Sequence, residues 1–231
     1  MTDRPTAVVT GASRGIGRAI ALRLAADYRI VALARDESRL DGVAREISGA
    51  GGECRPIAVN LARPEAIHRA LHGLNADLLV NNAGVITKKP FTELTSEDWH
   101  TMVDVNFNAL YHVTRQVLPG MIANGRGHII NIASIAGRSA FVGGTCYAAT
   151  KHAVVGFSES LMLEVREHGV KVSVIMPGSV ATDMFAPGTD TSWMLTAEDV
   201  AETVATVVNT PSRSLMYQVE VRAANPQTRA T

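Results

Sequence analysis

Cysteine is nearly absent from this chain. Cys54 and Cys146 are its only 2 in 231 residues, too few for a disulfide framework or a thiolate zinc site. Two reduced thiols in a cytoplasmic protein are the expectation. Excess charge of one sign is missing too: 22 Lys and Arg balance 22 Asp and Glu, so no net field draws nucleic acid or an anionic membrane. No apolar run approaches the ~18 residues of a spanning helix. The opening MTDRPTAVVTG carries an early acid and no long apolar stretch, which argues against a secretory signal. What remains, 46% hydrophobic and 19% charged, is the composition of a globular protein long enough to bury a core.

Short apolar runs alternate with longer helical patterns along the chain. TAVVT (6–10), RIVALA (29–34), CRPIAVN (54–60), DLLVN (77–81), GHIINIAS (127–134), VKVSVIM (170–176) and LMYQVEVR (215–222) read as strands. Between them lie helical patterns at 17–27, 36–49, 64–74, 95–123 and from 145 to about 168, and one that begins near Thr196 with the capping pattern TAED. Strands apolar on both faces and separated by helices predict a doubly wound α/β fold: a parallel sheet of about seven strands with helices on both faces. No repeat or linker divides the chain, so residues 1–231 are expected to form one domain. The segment SVATDMFAPGTDTSW has no clear period and is expected to form a loop, a lid at about 179–195.

The first strand runs into TGASRGIGRAIA, which places Gly11, Gly15 and Gly17 between strand and helix. Gly11 permits a tight turn, Gly15 lets backbone approach a pyrophosphate, and Gly17 lets the helix lie close on the strand. The spacing is G-x3-G-x-G, so the usual dinucleotide fingerprint is not matched letter for letter. The second strand ends in Ala34 and Arg35, where an NAD site would carry a carboxylate. Arg35 and Arg14 suit a 2′-phosphate through charge-assisted hydrogen bonds. NADP(H) is therefore favoured; NAD(H) stays possible if both arginines are only solvated and Asp36 serves the ribose.

In TCYAATKHAVVGF, Tyr147 and Lys151 stand four apart on one helical face, about 5–6 Å from each other. At that distance an ammonium would stabilise a phenolate by roughly 3 kcal/mol, drawing the phenol toward the range useful for proton transfer. Taken alone, the pair could equally be a core tyrosine beside a snorkelling lysine. Its surroundings favour chemistry. Ser134 ends the fifth strand and LLVNNAG (78–84) the fourth, at the edge where an open α/β sheet binds ligands. Asn106 stands mid-helix, where asparagine has poor propensity and needs a reason.

TGASRGIG, NNAG, Asn106, Ser134, YAATK and PGSVATDM (177–184) occur in the order and spacing of the short-chain dehydrogenases/reductases, and over nearly its whole length the chain resembles their single-domain branch. The resemblance implies a Rossmann-type fold and an oxidoreductase with Tyr147 as general acid/base. Ser134 would hold the substrate carbonyl, Lys151 would bind the nicotinamide ribose, and Asn106 would hold a relay water. It implies cofactor contacts from Gly11, Ser13, Arg14, Gly15, Ile16 and Gly17 at the glycine turn and from Arg35. Asn60 and Leu61, then Asn82, Ala83 and Gly84, would take the adenosine side, and Pro177, Gly178, Val180 and Thr182 the nicotinamide side. Asn60 stands where many members carry Asp, and its side-chain oxygen can still accept from the adenine amino group. The C-terminal VEVRAANPQTRAT lacks the Gly-Gly of many members. A homo-oligomer, tetramer or dimer, is expected from the family, with the helices around Tyr147 and Asn106 as contacts.

The implied activity interconverts a carbonyl and a secondary alcohol. A 3-oxoacyl-thioester reductase, a sugar or polyol dehydrogenase, and a nucleotide-sensing regulator without turnover are the alternatives. Ile135 and Gly144 are placed with the substrate, as are Met184, Phe185 and Trp193, which, with Met194, either line a lid or pin the loop to the core. His68 and His72 make half of a metal site with no third ligand in sight, so no metal is expected. Cys146 is expected to be a quiet buried thiol.

Overall fold

The computed structural model describes residues 4–186 and 188–225. Seven strands, β1 Thr6–Thr10, β2 Arg29–Ala34, β3 Cys54–Ala58, β4 Leu78–Asn81, β5 Gly127–Ile132, β6 Val170–Pro177 and β7 Gln218–Val221, form one sheet in the order β3-β2-β1-β4-β5-β6-β7. Every pairing is parallel. The helices are α1 Gly15–Leu24, α2 Glu37–Gly49, α3 Pro64–Leu71, α4 Ser96–Val103, α5 Ala109–Ala123, α6 Thr145–Val165 and α7 Ala197–Val208. Among the described residues, no helix is long and apolar enough to cross a membrane.

The central strands β1, β2 and β4 lack polar alternation because both of their faces are covered. Ala7 and Val9 of β1 pack with Ile20, Leu24, Leu40, Val43 and Val204, from α1, α2 and α7. Val8, between them, packs on the opposite face with Ile67, Val113, Val117 and Leu161, from α3, α5 and α6. Each buried aliphatic side chain contributes about 1.5–3 kcal/mol. The chain order reverses between β1 and β4, so the crevice at their carboxyl ends is the topological switch point where such sheets bind ligands.

Local chemistry sets the element boundaries. The capping pattern at Thr196 forms as expected: its hydroxyl accepts from Asp199 N while the Asp199 carboxylate accepts from Thr196 N. Thr95 and Asp98 cap α4 in the same way. Three expectations need correction. The strand expected over 215–222 is confined to Gln218–Val221; before it, the Met216 carbonyl accepts from the Ser173 side chain of β6 (2.7 Å) rather than from a backbone amide of that strand. The fifth strand stops at Ile132, and Ser134 instead caps a single 3-10 turn, Ile135–Gly137, its hydroxyl accepting from Ala136 N at 3.1 Å. The helix expected over 95–123 is interrupted by a π turn at Asp104–Asn108.

The π turn supplies the reason that Asn106 needed. Its side chain is 2% exposed. Its Oδ1 accepts from Val85 N (2.7 Å), and its Nδ2 donates to Val85 O (2.9 Å) and Thr150 Oγ1 (3.1 Å). Three hydrogen bonds to the segment after β4 and to α6 hold the wider turn, as π bulges at functional sites often are held.

Candidate active site

The glycine turn is braced from below. The Thr10 hydroxyl, at the end of β1, accepts from Asn82 N (2.9 Å) and Ala83 N (3.1 Å) and donates to Val80 O (3.4 Å). Asn82 Nδ2 donates back to Thr10 O (3.0 Å) and Gly11 O (3.4 Å). Thr10 was not singled out from the sequence, although it directly precedes the glycines. A Cβ on Gly17 would lie 2.3 Å from Gly11 O and 2.4 Å from Asn82 Nδ2, so only glycine fits there. No side chain caps the first amides of α1, which leaves them for an anion. The first asparagine of NNAG serves the scaffold instead. Asn81 Nδ2 donates to Thr114 Oγ1 (3.1 Å) and Asn131 Oδ1 (2.9 Å), in a buried network that ties β4 and β5 to α5.

The residues expected at the adenosine end cluster at the carboxyl ends of β1 to β3. Arg35 follows β2 and is exposed. Asp36 is committed as the cap of α2, accepting from Arg39 N (3.0 Å) and pairing with Arg39 Nε (3.2 Å). Arg39 is a further cation here that the sequence reading did not name. Asn60 is exposed, its Oδ1 accepting from Ala62 N (3.1 Å), while Leu61 is buried. Ser13 is half-buried, and Ile16 packs against the core beneath α1.

Tyr147, Lys151, Ser134 and Asn106 are brought together where β4 and β5 end. Tyr147 and Lys151 lie on α6, with Lys151 Nζ 5.7 Å from the centre of the Tyr147 ring. Tyr147 hydrogen-bonds Ser134. Lys151 is 4% exposed and donates to Ile132 O at 3.0 Å. A Cβ on Gly84 would lie 3.5 Å from Asn106 Oδ1 and 3.6 Å from Lys151 Nζ, which places the NNAG glycine against both.

The electrostatics correct the sequence reading. Burial raises the Tyr147 phenol above its ordinary value, and the Ser134 hydrogen bond opposes this in part. Burial also pushes the Lys151 ammonium down to about 8. The expected drop of the phenol beside the lysine is outweighed because removing a phenolate from water costs more than one cation at this distance returns.

The residues expected around a substrate are less closely gathered. Ile135 is half-buried in the 3-10 turn, and Gly144, buried, precedes α6. A Cβ on Gly144 would lie 2.4 Å from Phe141 Cζ, so the Phe141 ring lies flat on this glycine, its centre 6.3 Å from that of Tyr147. Phe141 escaped the sequence reading; its place six residues before Tyr147 was the available signal. Val180 and Leu195 form a bridge and are buried, which pins the base of the 179–195 segment. Met184 and Phe185 are exposed, and Trp193 Nε1 donates to Asp190 O (3.1 Å) within its own loop. Met194 is half-buried, its amide donating to Thr191 O (3.0 Å). Pro177 ends β6 and Gly178 follows it, and Thr182 faces Gly15.

Other candidates stay apart. The His68 and His72 rings meet edge to face at 5.7 Å, and His68 Nδ1 lies 3.1 Å from Gln116 Oε1. Among the described residues, no group of three or more His, Cys, Asp or Glu could hold a metal. Cys146 is buried, and burial raises its thiol above the ordinary value.

A seven-stranded parallel sheet with a braced glycine turn and a Ser–Tyr–Lys cluster at one edge is the architecture of a dinucleotide-dependent oxidoreductase. The short chain dehydrogenase family model matches residues 5–193, and the chain belongs to that family. It is 36% identical over 185 residues to a 3-oxoacyl-[acyl-carrier-protein] reductase of Synechocystis sp., covering 77% of this chain and 75% of the relative. The fold is that of a metagenomic short-chain oxidoreductase in complex with NADP, with a TM-score of 0.84, 38% identity, and 94% of this chain and 96% of that one covered. It is equally that of serine dehydrogenase complexed with NADP+, with a TM-score of 0.89, 32% identity and 98% of both chains covered.

Proposed function

We propose that this oxidoreductase uses NADP(H) to interconvert a carbonyl and a secondary alcohol, with Tyr147 transferring the proton. The meeting of Ser134, Tyr147 and Lys151 beside the braced glycine turn carries this reading. The chain's own residues fit the cofactor. The glycine turn and the uncapped start of α1 suit a pyrophosphate. Arg14 and Arg35 suit a 2′-phosphate, while Asp36, the acid that could have served an NAD ribose, is committed to capping α2. Asn60, Leu61, Ala83 and Gly84 take the adenosine side, and Pro177, Gly178, Val180 and Thr182 the nicotinamide side. Two structural relatives complexed with NADP point the same way.

Bound NADP(H) supplies or accepts the hydride. Ser134 and Tyr147 then share one carbonyl oxygen: Ser134 orients it, and the phenol, kept protonated by burial, donates to it as negative charge develops. Lys151 stands close enough to favour the phenolate left behind. Asn106 positions the segment around Lys151, and the three protein bonds of its side chain leave a relay water to the backbone of the π turn. The 179–195 segment acts as a lid, and its exposed Met184 and Phe185, with Phe141 beside Tyr147, favour a partly apolar substrate.

The test is loss of NADPH absorbance with a panel of aldehydes, ketones and acetoacetyl thioesters. Turnover of at least one simple carbonyl is expected. Activity confined to the thioesters would favour the oxoacyl reductase that the Synechocystis relative suggests. Tight NADPH binding with no turnover on any carbonyl would favour a sensor. Arg35→Ala is expected to weaken NADPH about tenfold with NADH unchanged, as a charge-assisted contact to phosphate implies; an equal loss for both cofactors sinks the 2′-phosphate assignment.

The oligomer expected from the family has a physical candidate interface. An apolar groove of about 140 Å³ between α4 and α6 is lined by Trp99, Val103, Phe107, Cys146, Ala149, Thr150 and Ala153, and Trp99 and Tyr111 remain 37% and 40% exposed. A second copy of the chain is proposed to cover it. Light scattering should give at least a dimer mass that Trp99→Glu reduces; a monomeric native protein removes the proposal.

A further inference from the structure

Arg14 and Arg39, which belong to different elements, converge on one carboxylate from a distant part of the chain. Arg14 Nη1 lies 3.4 Å from Asp183 Oδ2, and Arg39 Nη1 lies 3.9 Å from the same atom. Asp183 follows Thr182, whose methyl carbon would lie 3.4 Å from a Cβ on Gly15. The start of the 179–195 segment therefore rests on the glycine turn through an apolar contact and an ionic one. Arg39 is held from its other side by Asp36, with Nε 3.2 Å from Oδ2. Arg14, Arg39 and Asp183 all keep more than half of their side-chain surface exposed.

We propose that the Asp183 carboxylate competes with the cofactor 2′-phosphate for Arg14 and Arg39, which makes Asp183 a determinant of NADPH-over-NADH preference and Arg39 a phosphate-contacting residue beside Arg35. The inference rests on the NADP reading above. A 2′-phosphate at the end of β2 brings a dianion-like charge to a place where the Asp183 carboxylate already engages two guanidinium groups. Two anions cannot both hold the same donors at close range without repulsion, so the phosphate displaces the carboxylate. A cofactor without that phosphate leaves the Arg14–Asp183 contact in place. Because Asp183 is the residue before the exposed Met184 and Phe185, its release also frees the segment proposed to cover the substrate. Occupancy of the phosphate site and freedom of the lid are thereby linked.

The test titrates NADPH and NADH, by quenching of intrinsic fluorescence at low ionic strength, into the full-length native protein, Asp183→Asn, and Asp183→Asn combined with Arg39→Ala. Asp183→Asn keeps the size of the side chain and removes its charge. It is expected to tighten NADPH about threefold, the scale of an exposed ion pair, and to leave NADH unchanged. Added Arg39→Ala should reverse the gain. NADPH affinity that is unchanged or weakened in Asp183→Asn overturns the proposal, as does equal tightening of both cofactors. Persistence of the gain without Arg39 removes that residue from the phosphate site. If the native protein binds NADH as tightly as NADPH, the NADP reading itself fails, an outcome distinct from failure of the competition.

Discussion

Tyr147→Phe is expected to lower kcat for carbonyl reduction roughly 10³-fold, within the range that a positioned general acid contributes, and to leave NADPH binding nearly intact. The substitution removes one oxygen and keeps the ring, so the tilted contact with Phe141 and the packing of α6 are preserved. What is lost is the hydroxyl bonded to Ser134. Its proton is firmly held, because burial raises the phenol above its ordinary value. That suits a donor to a developing alkoxide, a far stronger base than phenolate. In the oxidative direction the same group must first lose its proton, so the rate of alcohol oxidation should climb with pH through the alkaline range while reduction changes little near neutrality. Single-turnover kinetics with NADPH measures the step directly. A variant that keeps more than a tenth of native kcat would show that Tyr147 is not the proton donor.

Lys151→Met should move activity and stability in opposite directions, with kcat falling about 10²-fold and folding stability near neutral pH rising by about 2 kcal/mol. Burial holds the ammonium at about 8, against 10.5 ordinarily. The folded chain is thus the poorer proton binder. Below about 8 both folded and unfolded chains are protonated, and the folded one carries the full penalty of a desolvated charge. Between about 8 and 10.5 the unfolded chain binds more protons, so this residue's contribution to stability improves as pH rises. Loss of the hydrogen bond to Ile132 O offsets part of the gain on substitution. Denaturant unfolding of the two proteins at pH 7.5 and 9.5 should show the difference between them shrinking at the higher pH. A Lys151→Met protein less stable than the native one at pH 7.5 contradicts this account.

Much of the fold was legible because covered strands leave a plain mark. Runs such as TAVVT and RIVALA show almost no polar alternation, and the two cores that meet on β1 explain why. The gathering of Ser134, Tyr147 and Lys151 could be anticipated from helical spacing and strand ends. The π turn could not, since it is fixed by the contacts of Asn106 with Val85 and Thr150, which only the fold brings together. The protonation of Tyr147 is hidden for a related reason: sequence spacing gives the distance to a lysine but not the loss of water around the phenol. Phe141, Arg39 and Thr10 escaped because each acts through a neighbour that only the fold supplies.

The brace between Thr10 and Asn82 has a mechanical consequence. It ties the glycine turn to the segment carrying Ala83 and Gly84, which in turn lies against Asn106 and Lys151. The phosphate-facing and proton-transferring ends of the crevice therefore move as one rigid body. The opposite wall, which begins at Asp183, meets the glycine turn and α2 through exposed ion pairs. On the proposed lid reading, a dinucleotide would be admitted by swinging that wall alone, without disturbing the alignment of the groups behind it.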